Sequence, residues 1–214
     1  MAGEPRGGAF TRRSRADRRD ELLAASLKLA LEGGLTSITA RRVAAEVGVA
    51  QGLVSHYFGS VDELLAATFE YAAANEREQT NALLPDSPLE RLRAMLTLLG
   101  SHDHDPIALL WLDAWRESAR RPALQRVVVR AMEHDIAELG AIITQGKAAG
   151  IFPDAGPHSA MRILALVDGF SASAAVRAGI AGSDLDYEDV LDFVLRTAER
   201  ELGLPSGALD PAES

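Results

Sequence analysis

Apolar residues in this chain recur three and four positions apart, and the runs are closed by proline or glycine, which favours helices and little else. Pro85, Pro88, Pro106, Pro122, Pro153 and Pro157 stand where helices should begin or end, because proline brings no amide hydrogen to a helix interior. Between them lie candidate helices at 88–99, 106–118, 122–149, 157–179 and 186–202. No run alternates apolar and polar residues between hairpin turns, so the expected fold is all-α.

The N-terminal quarter reads as four helices. Ser14 and Asp17 fit a capping box, Leu23, Leu27, Ala30 and Leu31 follow at helical spacing, and Gly33-Gly34 ends the run. Thr39 caps a short second helix to about Val47, with Val43, Ala44 and Val47 on one face. Gly48 breaks it, since glycine turns left-handed without steric cost. A third helix, about 51–57, turns Leu53 and Val54 inward and leaves Gln51, Ser55 and His56 outside. A fourth, about 61–80, carries Leu64, Leu65, Thr68, Phe69 and Ala72 on one stripe.

Two short helices around a glycine turn form a unit whose second helix can enter the major groove of DNA. Charge is distributed to match. Residues 1–60 hold nine basic side chains against six acidic ones, while the remainder holds 13 against 25. Such a basic head on an acidic body presents one end to phosphate. A run of terminal arginines can equally be a solvated tail, and two short helices can belong to any bundle.

Further residues narrow the choice. Val43-Ala44, Gly48-Val49, His56-Tyr57-Phe58 and Asp62-Glu63-Leu64-Leu65, after the Thr39 cap, give residues 14–69 a pattern that resembles the TetR family of transcriptional regulators. Leu53-Val-Ser-His-Tyr-Phe, with Leu110-Trp-Leu-Asp-Ala-Trp and Val167-Asp-Gly-Phe, is similar to the subgroup around BetI, the repressor of choline-to-betaine metabolism. The resemblance implies an N-terminal three-helix helix-turn-helix DNA-binding domain and a larger helical ligand-binding and dimerisation domain. It divides the chain into a flexible basic arm (1–13), the DNA-binding domain (14–60), the regulatory domain (61–204) and a flexible tail (205–214). Arg41 and Gln51 are then expected at base edges, with Gly52 and Ser55 on the same exposed face, while Thr39, His56 and Tyr57 meet phosphates or brace the recognition helix. Two positions depart from the family pattern: Ala50 where Ser or Thr usually caps the recognition helix, and Val61 where many relatives carry a phosphate-binding lysine. The arginines between 12 and 19 would take over some of that charge.

Enzyme machinery does not assemble. Gly169-Phe-Ser-Ala-Ser lacks the second glycine and the preceding strand of a nucleophile elbow. Gly140 and Gly146-Lys147 are one residue too far apart for a phosphate loop, and Ala148 stands where a hydroxyl should bind magnesium. His102-Asp-His-Asp105 is the one concentrated ligand-type cluster, but alternate residues on a helix point apart. With no cysteine in the chain, neither a zinc-thiolate site nor a disulfide is available. No catalytic residue, metal or cofactor is expected.

The body reads as a sensor. The helices at 157–179 and 186–202 are apolar on unusually wide faces, and Gly169, Ala172 and Ala175 would let two subunits approach closely. Trp111 and Trp115 share a helical face, and Asp113, Asp168 and Phe170 lie in apolar surroundings. Those five are the expected ligand residues, although ordinary core packing is the competing reading. Aromatic faces beside a carboxylate suit a cation or a hydrogen-bonding amphiphile. No stretch approaches the run of about 18 to 20 apolar residues that spans a bilayer. The expectation is therefore a cytoplasmic homodimer that binds a double-stranded DNA operator, is released by a small organic inducer and has no membrane partner. A helical small-molecule carrier or an enzyme with a vestigial head is the alternative.

Overall fold

The computed structural model describes residues 14–177 and 187–211, and every described element of regular structure is helical. The proposed arm at 1–13 lies outside the described residues. Helix α1 (Arg15–Gly33) starts on the expected capping box: Ser14 Oγ accepts the Asp17 amide at 3.0 Å, and the Asp17 carboxylate accepts the Ser14 amide at 3.1 Å. It stops at Gly34, whose φ of 79° no L side chain adopts comfortably. A 3-10 turn (Leu35–Ser37) leads to α2 (Ala40–Val47), where Thr39 Oγ1 accepts the Arg42 amide. Gly48, at φ 72° and ψ 36°, turns the chain into α3 (Gln51–Phe58). Helix α4 (Val61–Leu83) is capped by Ser60.

The body follows the prolines. Helix α5 (Pro88–Leu99) and α7 (Pro122–Ala148) begin on proline, and α6 (Asp105–Ser118) carries one in its first turn. Helices α4 and α7 make the most extensive packing in the chain. The expected helix at 157–179 is instead two pieces, α8 (Ser159–Ser171) and α9 (Ala174–Arg177). Ser173 breaks the run by turning its hydroxyl onto the Phe170 carbonyl at 2.6 Å, in competition with the helical ladder. Helix α10 (Tyr187–Leu202) closes the bundle against α8.

The buried residues form two cores. One joins α1 to α4 with Leu110 and Ala114 of α6 and Leu124, Val127, Val128 and Ala131 of α7. The other joins α5, the C-terminal half of α7, α8 and α10.

Residues 205–211 depart from the flexible tail expected at 205–214 from its Gly, Pro and Ala content, and residues 212–214 lie outside the described residues. The 205–211 segment folds back so that Leu209 is fully buried in the second core. The Arg93 guanidinium donates twice to the Ala208 carbonyl, at 3.2 and 2.7 Å, and the buried Glu199 carboxylate accepts the Leu209 amide at 2.8 Å. Arg196 pairs with Glu199 and with Asp210. Composition alone misread the tail because its partners lie on α5 and α10.

Candidate functional site

Among the described residues, two places could act on something outside the molecule. The first is the exposed face of α2 and α3. Val43, Ala44, Val54 and Phe58 are buried against α1 and α4, which fixes the pair of helices and turns Arg41, Gln51, Gly52, Ser55 and His56 outward. Thr39 is exposed at the head of α2, with its side chain engaged in capping. Tyr57 is half-buried: its ring meets His56 edge-on at 6.0 Å, and Arg15 sits 5.9 Å over it. Arg19 stacks over Phe58 at 5.6 Å. The start of α1 thus brings cations beside the last turn of α3. Ala50 supplies no side-chain cap, so the first turn of α3 keeps amides open at the exposed end. An uncapped helix N-terminus at one end of α3, with Arg15 and Arg19 beside its last turn, is chemistry suited to phosphate.

The second place is a cavity of about 200 Å³ between α4, α6, α7 and α8. Trp111 and Trp115 form one wall, with ring centroids 5.9 Å apart, and Phe69 meets Trp111 edge-on at 4.8 Å. Four carboxylates from three helices line the same space: Glu76 of α4, Asp135 and Glu138 of α7, and Asp168 of α8. Trp111 Nε1 donates to Glu76 at 3.2 Å, and His104 Nε2 stands 3.5 Å from the other Glu76 oxygen. Arg77 reaches Asp135 at 3.5 Å.

Burial, reinforced by the nearby charge of Asp135, pushes the Glu76 carboxyl up to about 7 despite the Trp111 hydrogen bond and the Arg77 charge. Asp168 rises to about 6, through burial first and the Asp135 charge second. Asp135 is raised as well, chiefly by burial. Carboxylates in an aromatic-walled cavity, outnumbering the Arg77 and His104 side chains beside them, are chemistry that can take a cation.

Of the five residues expected around a ligand, the structure brings Trp111, Trp115 and Asp168 to this cavity and places two elsewhere. Asp113 is turned away from it: two residues from each tryptophan, it lies about 200° around the helix at roughly 100° per residue. Its carboxylate accepts the Leu35 amide instead. Phe170 is buried in the second core. Glu76, Asp135 and His104 were missed. A signal for the two acids was present: Glu76 continues the buried stripe of Leu65, Phe69 and Ala72, and Asp135 sits between Val128 and Leu139 on the buried side of α7. An acid on an apolar stripe is the feature to look for.

The family profile of TetR-type bacterial regulatory proteins matches residues 22–68, and that of the BetI-type transcriptional repressor C-terminal domain matches residues 88–203. The chain belongs to the TetR family, in its BetI-type branch. The BetI regulator of Burkholderia mallei is 31% identical over 185 residues, covering 81% of this chain and 88% of that one. Among solved structures, a TetR regulator from Haloarcula marismortui superimposes with a TM-score of 0.72 at 22% identity, covering 88% of this chain and 97% of that one. A transcriptional regulator from Saccharomonospora viridis, solved in complex with choline, gives a TM-score of 0.72 at 19% identity, covering 88% and 98%. These structures share the fold. The TetR-family assignment makes the chain a transcriptional regulator with an N-terminal helix-turn-helix domain, and makes an enzyme the wrong class.

Proposed function

We propose that this TetR-family regulator is a cytoplasmic, dimeric repressor that binds a (pseudo)palindromic DNA operator and is released when a small organic cation enters the α4–α6–α7–α8 cavity. The observation that carries the cation is the convergence of Glu76, Asp135 and Asp168 on a space walled by Trp111 and Trp115. Choline in the Saccharomonospora viridis regulator supports the reading, since it shows a relative of this fold taking a quaternary ammonium. Arg41 and Gln51 read bases, Gly52 and Ser55 border them, and Thr39, His56 and Tyr57 hold the backbone.

Dimerisation is supported by the outer face of α8, α9 and α10. Val176 and Phe193 are 51% and 55% exposed and the small residues Gly169 and Ala175 are exposed too, while the exposed Met161 and Ala172 also border the cavity. Large apolar side chains left open at close-packing positions ask for a second subunit. The stretch Ser159–Val176 is apolar enough on average to cross a bilayer, but Arg162 and Asp168 interrupt it and its helix breaks after Ser171. Its apolarity suits a packed interface better than lipid.

The mechanism is a shift between two spacings of the recognition helices. A ligand that favours the wrong spacing lowers operator affinity by the same factor by which it prefers that state. The test is operator DNA selected from random sequence, titrated by fluorescence anisotropy at two salt concentrations, with and without choline. A repressor shows saturable, sequence-dependent, salt-sensitive binding that choline weakens. Binding without sequence preference would leave a carrier as the better reading.

A further inference from the structure

Helix α6 has two working faces. Ala108, Trp111, Leu112 and Trp115 look into the cavity. Asp113 looks the other way, and its Oδ2 accepts the Leu35 amide hydrogen at 2.8 Å across 78 residues of sequence. Leu35 is fully buried and opens the short 3-10 turn that joins α1 to the Thr39 cap of α2. The bond therefore lands at the root of the DNA-reading unit.

The approach is close enough to need glycine. A Cβ on Gly34, at φ 79°, would stand 2.6 Å from the same carboxylate oxygen. Arg116, 68% exposed, is 3.8 Å from the other oxygen, too far for a hydrogen bond. The C-terminal end of α6 is held separately: Arg121, just before α7, pairs with Glu117 of α6 and with Asp62 in the first turn of α4. Helix α6 is thus pinned to α4 at one end, lined by the cavity along one face, and joined to the reading unit at its middle by the packing of Leu110 and Ala114 and by one side-chain hydrogen bond, that of Asp113.

We infer that Asp113 is the residue through which ligand occupancy reaches the operator-reading helices: a ligand that displaces Trp111 and Trp115 moves Asp113 with them, and Asp113 draws the Leu35 turn and α2 after it. This rests on the cavity being the ligand site. Asp113 touches neither ligand nor DNA; it is a positioning residue. Its removal yields a protein that still binds both and no longer links them.

The experiment uses full-length wild type, Asp113→Ala and Asp113→Asn, with choline as the probe. Choline affinity is read from tryptophan fluorescence, and operator affinity from anisotropy with and without saturating choline. The ratio of the two operator constants is the coupling factor, and linkage requires the same factor in choline affinity with and without operator. Asp113→Ala should reduce the factor from tenfold or more to within about threefold of unity, with choline affinity in free protein changed less than about threefold. Asp113→Asn keeps an acceptor oxygen and should restore most of the coupling. If Asp113→Ala does not fold, Gly34→Ala displaces the same carboxylate from the other side and should give the same uncoupling. Full coupling in a folded Asp113→Ala or Gly34→Ala protein overturns the inference while leaving the cavity reading intact. A wild type whose operator affinity ignores choline overturns the cation reading, and this inference falls with it.

Discussion

Lowering the pH should weaken the binding of a cationic ligand in a shape set by two carboxyls. A cation prefers ionised partners, and Glu76 and Asp168 titrate near 7 and near 6 in the free protein. If the bound cation keeps both ionised, each group multiplies the apparent Kd by one plus the ratio of its protonated to ionised forms. Between pH 8 and pH 5 that is roughly 100-fold from Glu76 and roughly tenfold from Asp168, so about a thousandfold together. The charges around them do not reverse the sign. Asp135 and Glu138 favour the cation, while Arg77 and His104, which stands 3.5 Å from Glu76, are the basic side chains set against it. The plot of log Kd against pH should be flat above 8, approach a slope of −1 between 7 and 6, and steepen toward −2 below 6. Calorimetry with choline from pH 5.5 to 8.5, in two buffers of different ionisation enthalpy, measures both the affinity and the protons released. Glu76→Gln should remove the upper limb and leave the lower one. Affinity that ignores pH, or rises on acidification, would refute the reasoning and point to a ligand that hydrogen-bonds the protonated carboxyls.

Other consequences are open to simpler measurements. Gln51→Ala should cost about 1 to 3 kcal/mol at one operator position and relax preference there; competition assays would show equal losses on specific and random DNA if Gln51 does not read a base. Ala175→Arg puts a charge on the face proposed for the dimer, and sedimentation should then show monomers with reduced operator affinity, whereas an unchanged dimer takes Ala175 out of the interface. Deleting residues 205–214 strips Leu209 from the second core and two hydrogen bonds from Arg93. A loss of about 3 kcal/mol, or roughly 6 to 12 °C in Tm, should follow, while a scan within 2 °C of wild type would mean the tail contributes nothing to stability.

What could be read from the chain was what neighbours in sequence decide. The Ser14–Asp17 box, the Thr39 cap, the Gly48 turn and the starts of α5 and α7 at Pro88 and Pro122 all follow from residues three or four apart. The break at Ser173 was also local, but a hydroxyl in an apolar run gives little warning of which carbonyl it will choose. The cavity was half legible. Its tryptophans and Asp168 stood out by type, yet Glu76 and Asp135 looked like ordinary surface charges until α4 and α7 were laid together. Asp113 was drawn to the cavity by its neighbours, when its spacing from Trp111 and Trp115 already put it on the opposite side of α6. The tail misled for the same reason: Arg93 lies 115 residues before the carbonyl it grips.

The packing also has a practical meaning for anyone who would graft one regulator's reading head onto another's body. Helices α1 to α3 do not end at a seam, because Leu110, Ala114, Leu124 and Val128 of the body complete the first core. A chimera cut at residue 60 would set half of one interior against half of another, and mismatched volumes in a close-packed core carry a penalty whatever the linker. The exchangeable unit is larger and discontinuous: α1 to α4 with the matching stretches of α6 and α7. Specificity for a new operator is therefore easier to install on the exposed face of α3 than by transplanting the head that carries it.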